Sequence, residues 1–277
     1  MMRIDAHQHF WAVHRGDYGW LTPDLEPLYR DFLPEDLSPE LARCDIDGTI
    51  LVQAAPTLAE THYLLDLAAQ HNFVKGVVGW VDFEASSAPA DIARLAQNPL
   101  LVGLRPMIQD IADPEWMLRP GLEPAFAAMM RHDLTFDALT LPHHLPILLQ
   151  LLRRHPGLRT VIDHGSKPAI KDGGFKPWSQ DIKRLADQTG AYCKISGLVT
   201  EAAFGWDVDD LKPYVDHLLE CFGPSRLIWG SDWPVCTLAC SYEEWLGATD
   251  ILLADLNAEE KSALMGGNAS HAYHLRG

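Results

Sequence analysis

Cysteine is scarce and shows no pairing pattern: Cys44, Cys193, Cys221, Cys236 and Cys240 make five, an odd number at scattered spacings. The nearest pair, Cys236 and Cys240, has no second pair to complete a zinc site, so neither a disulfide framework nor a structural zinc is expected. The five are read as reduced thiols, mostly in the core. Positive charge is also in deficit, with 22 Lys+Arg against 38 Asp+Glu and a formal net charge of −16. A field of that sign repels phosphate backbones and anionic membranes, which argues against nucleic acid or a membrane as the main partner. It still allows a small anionic ligand held by a few local arginines. No stretch approaches the ~18 unbroken apolar residues of a membrane helix, and the opening MMRIDAHQHFW lacks an apolar run of signal-peptide length. The expected location is therefore cytoplasmic. There is no GxGxxG after the first strand and no GxxxxGK(S/T) anywhere, which removes the usual dinucleotide and P-loop readings. Internal repeats, low-complexity tracts and long Ser/Pro-rich linkers are missing too.

What is present is an alternation. Short runs rich in Val, Ile and Leu, at 3–7, 48–54, 74–81, 100–105, 134–137, 160–164, 191–195 and 226–230, are separated by segments of helical period. Those segments are 58–70, 90–97, 123–131, 144–154, 179–188 and 208–221, with two more, 242–253 and 258–274, after the eighth strand. Eight strands each followed by helix, in a chain of 277 residues, predict a single (β/α)8 barrel of the α/β class covering 1–277. Residues 10–39, rich in aromatics and proline, read as an excursion after strand one and a lid over the barrel mouth. The surface fits a monomer or a homo-oligomer equally.

Barrel chemistry gathers where strands end, at the C-terminal face. Side chains alternate along a strand, so Asp5, His7 and His9 are expected on one face, with the two imidazoles forming a natural chelate at the mouth. His164 ends strand six and Asp232 follows strand eight. Three imidazoles and one carboxylate could hold one Zn²⁺.

The His7-Gln8-His9 triplet, His164 and Asp232 resemble the amidohydrolase superfamily. Within it, DAHQHFW at 5–11, VIDHGSKPAI at 161–170, KISGL at 194–198 and IWGSDWPV at 228–235 resemble a branch of lactone hydrolases. That branch includes the L-fuconolactone, L-rhamnonolactone, pyrone dicarboxylate and sulfomuconolactone hydrolases. The resemblance implies hydrolysis of a sugar lactone, L-fuconolactone for preference, to its aldonic acid. Two-metal members carry a lysine or glutamate after strand four and a histidine after strand five; Arg105 and Asp137 stand there instead, so a bridged metal pair is not expected. Some members of the branch work without metal, and the reading favours no required cofactor, with one Zn²⁺ on His7, His9, His164 and Asp232 as the alternative.

An ester carbonyl needs only a general base and donors for the developing oxyanion. Asp232 is the candidate base, and His7, His9 and His164 the groups that polarise the carbonyl. Arg105 offers a planar fork of donors, Gln53 can read hydroxyls, and Lys167 can reach a polar substrate. Of Trp11, Trp20, Trp178 and Trp233, all near these phrases, Trp20 and Trp233 are the candidates for stacking on a sugar face. Lys194 is placed behind the reacting groups, paired with Asp163 or Asp232. A dicarboxylate lactone would need more arginines, which only Arg15 or Arg119 could bring from loops. Zinc-dependent decarboxylation and a non-catalytic binding barrel are the remaining alternatives.

Overall fold

The computed structural model describes residues 2–275. Its eight strands pair in parallel and in chain order: β1 (Ile4–Gln8), β2 (Gly48–Val52), β3 (Val74–Gly79), β4 (Leu101–Leu104), β5 (Thr135–Ala138), β6 (Thr160–Ile162), β7 (Tyr192–Ile195) and β8 (Leu227–Trp229). Helices α1 (Pro34–Arg43), α2 (Leu58–Gln70), α3 (Ala88–Leu95), α4 (Glu123–Arg131), α5 (Leu145–Arg154), α6 (Trp178–Gln188), α7 (Val208–Phe222) and α8 (Tyr242–Leu252) surround them. This is the expected (β/α)8 barrel. Both faces of each strand are covered, which is why the strands read as short unbroken apolar runs rather than as alternating ones.

Between β1 and β8 the seam is closed just above the end of β8. Asp232 N–H donates to the His7 carbonyl and His9 N–H to the Trp233 carbonyl, both at 2.7 Å. The hydrogen bonds that close the barrel therefore place Asp232 beside His7 and His9. Strands β6 and β8 stop short of the expected 164 and 230 because the chain turns there: His164 and Asp232 both have positive φ, 54° and 58°.

Two segments depart from the sequence reading. The excursion does not run to residue 39 as a loop, since residues from Pro34 onward form α1, with the proline at the first helical position where no N–H is required. Its earlier part is stapled at the base by reciprocal backbone bonds between Trp11 and Phe32, at 3.0 and 2.9 Å. The expected helix 258–274 is broken into α9 (Ala258–Ser262), a π turn (Ala263–Gly267) and α10 (Asn268–Ala272). Gly266 explains the break: a Cβ there would lie 2.0 Å from the Met2 carbonyl oxygen. Beyond it, Ala269, Ala272 and Tyr273 pack against Ile4, Ala6, Ile50, Val52, Val161 and Ile228, closing the bottom of the barrel. No helix among the described residues is long and apolar enough to cross a membrane.

Candidate active site

Strand β1 does not keep a strict alternation. Its register against β2 shifts between Asp5 and Gln8, so that Ala6 joins the barrel interior and His7, the next residue, also points inward. Asp5, expected beside His7 and His9, instead faces the helical layer. Its carboxylate accepts from Ser231 Oγ at 2.6 Å, Ser231 N at 2.8 Å and Tyr242 Oη of α8 at 3.0 Å. Burial, opposed by these bonds, pushes Asp5 up to about 6. Asp5 thus pins the closing seam and takes no place at the mouth.

At the mouth, three imidazole Nε2 atoms converge on one oxygen. Asp232 Oδ1 lies 3.3 Å from His9 Nε2, 3.6 Å from His7 Nε2 and 4.0 Å from His164 Nε2. Burial alone would raise the Asp232 carboxyl, but His164, the hydrogen bond with His9, and His7 outweigh it and hold it well below the carboxylate range. Burial pushes His164 down to about 4, and burial with the charge on Lys194 holds His7 well below the usual imidazole range. At neutral pH the centre is therefore an ionised carboxylate among neutral His7 and His164 rings. His9 Nδ1 must carry a hydrogen, because its partner, the Val52 carbonyl at 2.8 Å, only accepts. Its Nε2 then faces the Asp232 carboxylate, at 3.3 Å from Oδ1. His164 Nδ1 is held by Ser196 Oγ at 2.9 Å. Beside it Gly197, at φ 61°, leaves room no other residue could, since a Cβ would sit 2.5 Å from that nitrogen.

Below this layer lies a column of buried charge. Lys194 Nζ is 2.6 Å from Asp137 Oδ2, 2.9 Å from Asp163 Oδ1 and 3.1 Å from His7 Nδ1, all fully buried. Arg105 Nη1 reaches Asp163 at 3.4 Å and His7 Nε2 at 3.3 Å, and Tyr273 Oη donates to Asp137 at 2.7 Å from below. Burial opposes ionisation of Asp163, yet Lys194, His7 and Arg105 hold it well below its ordinary range. Asp137, where Lys194 only partly offsets burial, rises to about 6. Lys194 thus lies beneath the mouth and pairs with Asp163, one of its two expected partners, and with Asp137 in place of Asp232.

A cavity of about 210 Å³ opens above His9, His164 and Asp232. Arg105 and Lys167 bring positive charge to its lining, and Trp20, Ala54, Met107, Leu139 and Val235 bring apolar surface. Its volume falls below the ~300–1,000 Å³ usual for drug-sized ligands, which suits a single small ring. Of the expected substrate contacts, Arg105, Lys167 and Trp20 line this cavity. Gln53 does not: it is fully buried, with Nε2 donating to the Arg105 carbonyl at 2.6 Å. Trp233 does not either, because its ring packs between Phe10 and Phe32 in the apolar layer outside the strands. His7 lies beneath the cavity rather than on its wall. Arg119 is tied to Asp113 and Glu84, and Arg15 to Asp17, so neither loop arginine enters.

Sequence reasoning passed over Gln109 and Asp110, which line the cavity from the loop after β4, and Tyr273, which reaches the charge column from the far end of the chain. It also passed over Glu60, fully buried in the first turn of α2. Burial pushes Glu60 up to about 8, against the N–H groups of Ala54 and Ala55 and the charge of Arg105. Unfolded, it would titrate near ~4.3. Between those values the folded chain keeps a proton that the unfolded chain has released, so stability falls as pH rises through the window. The unfolded forms of His7 and His164, at ~6.5, still release some protons above about pH 7 and act in the opposite direction. The Glu60 contribution is therefore read from the difference between wild type and Glu60→Gln. Tm is expected to decline from about pH 7 to pH 8, and Glu60→Gln to flatten that slope; equal slopes in the two proteins would show the carboxylate already ionised throughout.

The donor set at the mouth fits a metal. His7, His9 and Asp232 offer ligand atoms within 4.8 Å of one another, as do His7, Asp163 and His164. Nitrogen and carboxylate donors suit a single zinc ion, and an Nδ1–H to a backbone carbonyl, as in His9, is the outer bond that metal-bound histidines make.

Known proteins share this framework. A protein of Burkholderia ambifaria named L-fucono-1,5-lactonase is 48% identical over 277 residues, covering 99% of this chain and 96% of that one. One of Burkholderia multivorans with the same name is 35% identical, covering 99% and 96%. A crystal structure of a Burkholderia multivorans amidohydrolase with bound zinc, 36% identical, superposes with a TM-score of 0.94 over 100% of both chains. The family model described as Amidohydrolase matches residues 4–275. With the barrel, the paired histidines of β1 and the aspartate after β8 all in place, the chain belongs to the amidohydrolase family.

Proposed function

We propose that the protein hydrolyses a sugar lactone, L-fucono-1,5-lactone for preference, to the aldonic acid. The observation that carries this reading is the convergence of His7, His9 and His164 on an ionised Asp232 at the floor of a cavity sized for one ring. The 48% identity to the Burkholderia ambifaria lactonase supports the choice of substrate.

In this reading the lactone carbonyl sits over His9 and His164, with Arg105 turned toward its oxygen. Asp232 takes a proton from water as the water oxygen bonds to the carbonyl carbon. The negative charge that develops on the carbonyl oxygen is met by donors from Arg105 and the imidazole layer, already oriented by their own bonds. When the tetrahedral intermediate collapses, the bond to the ring oxygen breaks and Asp232 returns its proton to that oxygen. The products are a free hydroxyl and a carboxylic acid, which ionises and is held by Arg105 and Lys167. Trp20 offers a flat face to the sugar C–H groups. The carboxylate base and the donors belong to the chain itself, so no cofactor is required in this reading. Zinc, when bound, would be held by His7, His9 and Asp232 and would polarise the carbonyl as a Lewis acid.

The test is acid release from a panel of neutral sugar lactones and dicarboxylate lactones, with protein as purified and after chelation verified by elemental analysis. Rapid turnover of L-fucono- or L-galactonolactone in both samples is the expected result. Turnover only after zinc is restored would move His7 and His9 into a metal shell, and no turnover of any lactone would remove the assignment.

A further inference from the structure

Three consecutive carbonyls where β2 ends hold three side chains of the cavity. Val52 accepts from His9 Nδ1 at 2.8 Å, Gln53 accepts from Arg105 Nη2, and Ala54 accepts from the Trp20 indole at 2.7 Å. How those carbonyls point depends on how the peptides between them are held. Gln53 N–H still bonds across the sheet to Val78, but the next two N–H groups leave it. Ala54 and Ala55 donate instead to the Glu60 carboxylate, at 2.9 and 2.8 Å.

Glu60 reaches them by giving up an ordinary helix bond. Thr57 caps α2 and accepts the Glu60 N–H at 3.0 Å, the first half of a capping box. In the full box the glutamate returns its side chain to the cap residue's N–H. Here Thr57 N–H donates to the Ala55 carbonyl at 2.9 Å, and the carboxylate turns to the strand end. A fully buried carboxylate opposes folding, so local helix stability alone does not account for this one.

We propose that Glu60 is a positioning residue for the site: by holding the Ala54 and Ala55 N–H groups it aims the carbonyls of the same two peptides, those of Gln53 and Ala54, at Arg105 and Trp20, while the Val52 carbonyl on His9 is held through the sheet. Its consequence for turnover rests on the lactonase reading, but its consequence for Trp20 does not. Glu60→Gln keeps the shape of the side chain but sets an NH2 group, a donor only, where one of the two accepting oxygens stands. Its kcat/KM is expected to fall about tenfold to a hundredfold, the range usual for groups that orient reacting side chains. Both kcat and KM should change, since Arg105 serves the reaction and Trp20 the substrate.

The second measurement is the NMR signal of the Trp20 indole N–H, the donor to the Ala54 carbonyl, in protein labelled at tryptophan nitrogen and assigned by its loss in Trp20→Phe. It is expected to shift or exchange faster in Glu60→Gln. Should that variant fail to fold, Glu60→Asp, which draws the carboxylate back by one methylene, takes the same two measurements. An unchanged Trp20 indole signal, or a kcat/KM within twofold of wild type, overturns the proposal. If the wild type itself turns over no lactone, the lactonase reading fails separately, and the Trp20 signal alone decides the role of Glu60.

Discussion

Asp232→Asn should lower kcat by about 10³-fold, within the range by which a positioned general base accelerates a reaction, and leave KM within a few-fold of wild type. Asparagine is the informative replacement for two reasons. The residue sits at φ 58°, a left-handed conformation that Asn tolerates as well as Asp and that alanine does not. The seam is closed by the backbone N–H of residue 232, which donates to the His7 carbonyl and survives the substitution. What is lost is the capacity to accept a proton, because the amide oxygen is far too weak a base. A loss confined to kcat marks a group that acts in the transition state rather than one that binds the ground state. Retention of kcat within tenfold, in protein whose Tm is unchanged, would rule out Asp232 as the base.

Lys194→Met should be the most destabilising single change in the charge column. Lys194 faces Asp137 and Asp163 at 2.6 and 2.9 Å with no solvent access to any of the three. Removing one member of a buried pair strands the other, at a cost of about 3–5 kcal/mol. In a chain of this size that is a drop in Tm on the order of 10 °C. The effect carries a pH signature. Without the ammonium, both carboxyls lose the charge that favours their ionised forms: Asp163 rises above its unfolded value, and Asp137, already at about 6, rises further. A carboxyl so raised makes the folded chain bind more protons than the unfolded chain, so stability falls as pH increases through that interval. The deficit relative to wild type should therefore be larger at about pH 7 than at about pH 5, the latter nearer the unfolded carboxyl range. Denaturant unfolding at both values measures it. A deficit below about 1 kcal/mol at neutral pH would mean the column is solvated or rearranges to neutrality. Adding Asp137→Asn to Lys194→Met should recover part of the loss, since it removes one of the stranded charges.

The barrel was legible because its signals are local. Strand and helix periods appear within a dozen residues, and the eight strands of the sequence reading match the eight in the sheet to within a few residues. The breaks at His164 and Asp232, where φ turns positive, shortened two of them. His7, His9, His164 and Asp232 were legible through their places at strand ends, and the structure brings all four together.

Residues whose direction depends on a distant partner were not legible. Asp5 was expected to share a face with His7, but one shifted residue in the pairing with β2 turns it toward Ser231 and Tyr242. Gln53 and Trp233 sit at the expected strand ends, yet the Arg105 carbonyl just past β4 claims one and the aromatic layer around Phe10 and Phe32 the other. Glu60 gave no sign in an ordinary amphipathic stretch, because its role exists only where α2 lies against the end of β2.

By itself, then, the sequence determined the order of elements, the closed parallel sheet and the four groups at its mouth, all of which follow from periodicity and from position along single strands. Tertiary structure alone decided which way Asp5 faces, which acids Lys194 neutralises, which cations line the cavity and what holds its wall. Those outcomes follow from hydrogen-bond register and burial between segments up to 237 residues apart, as for Tyr242 and Asp5, and side-chain type at one position does not encode such a partner.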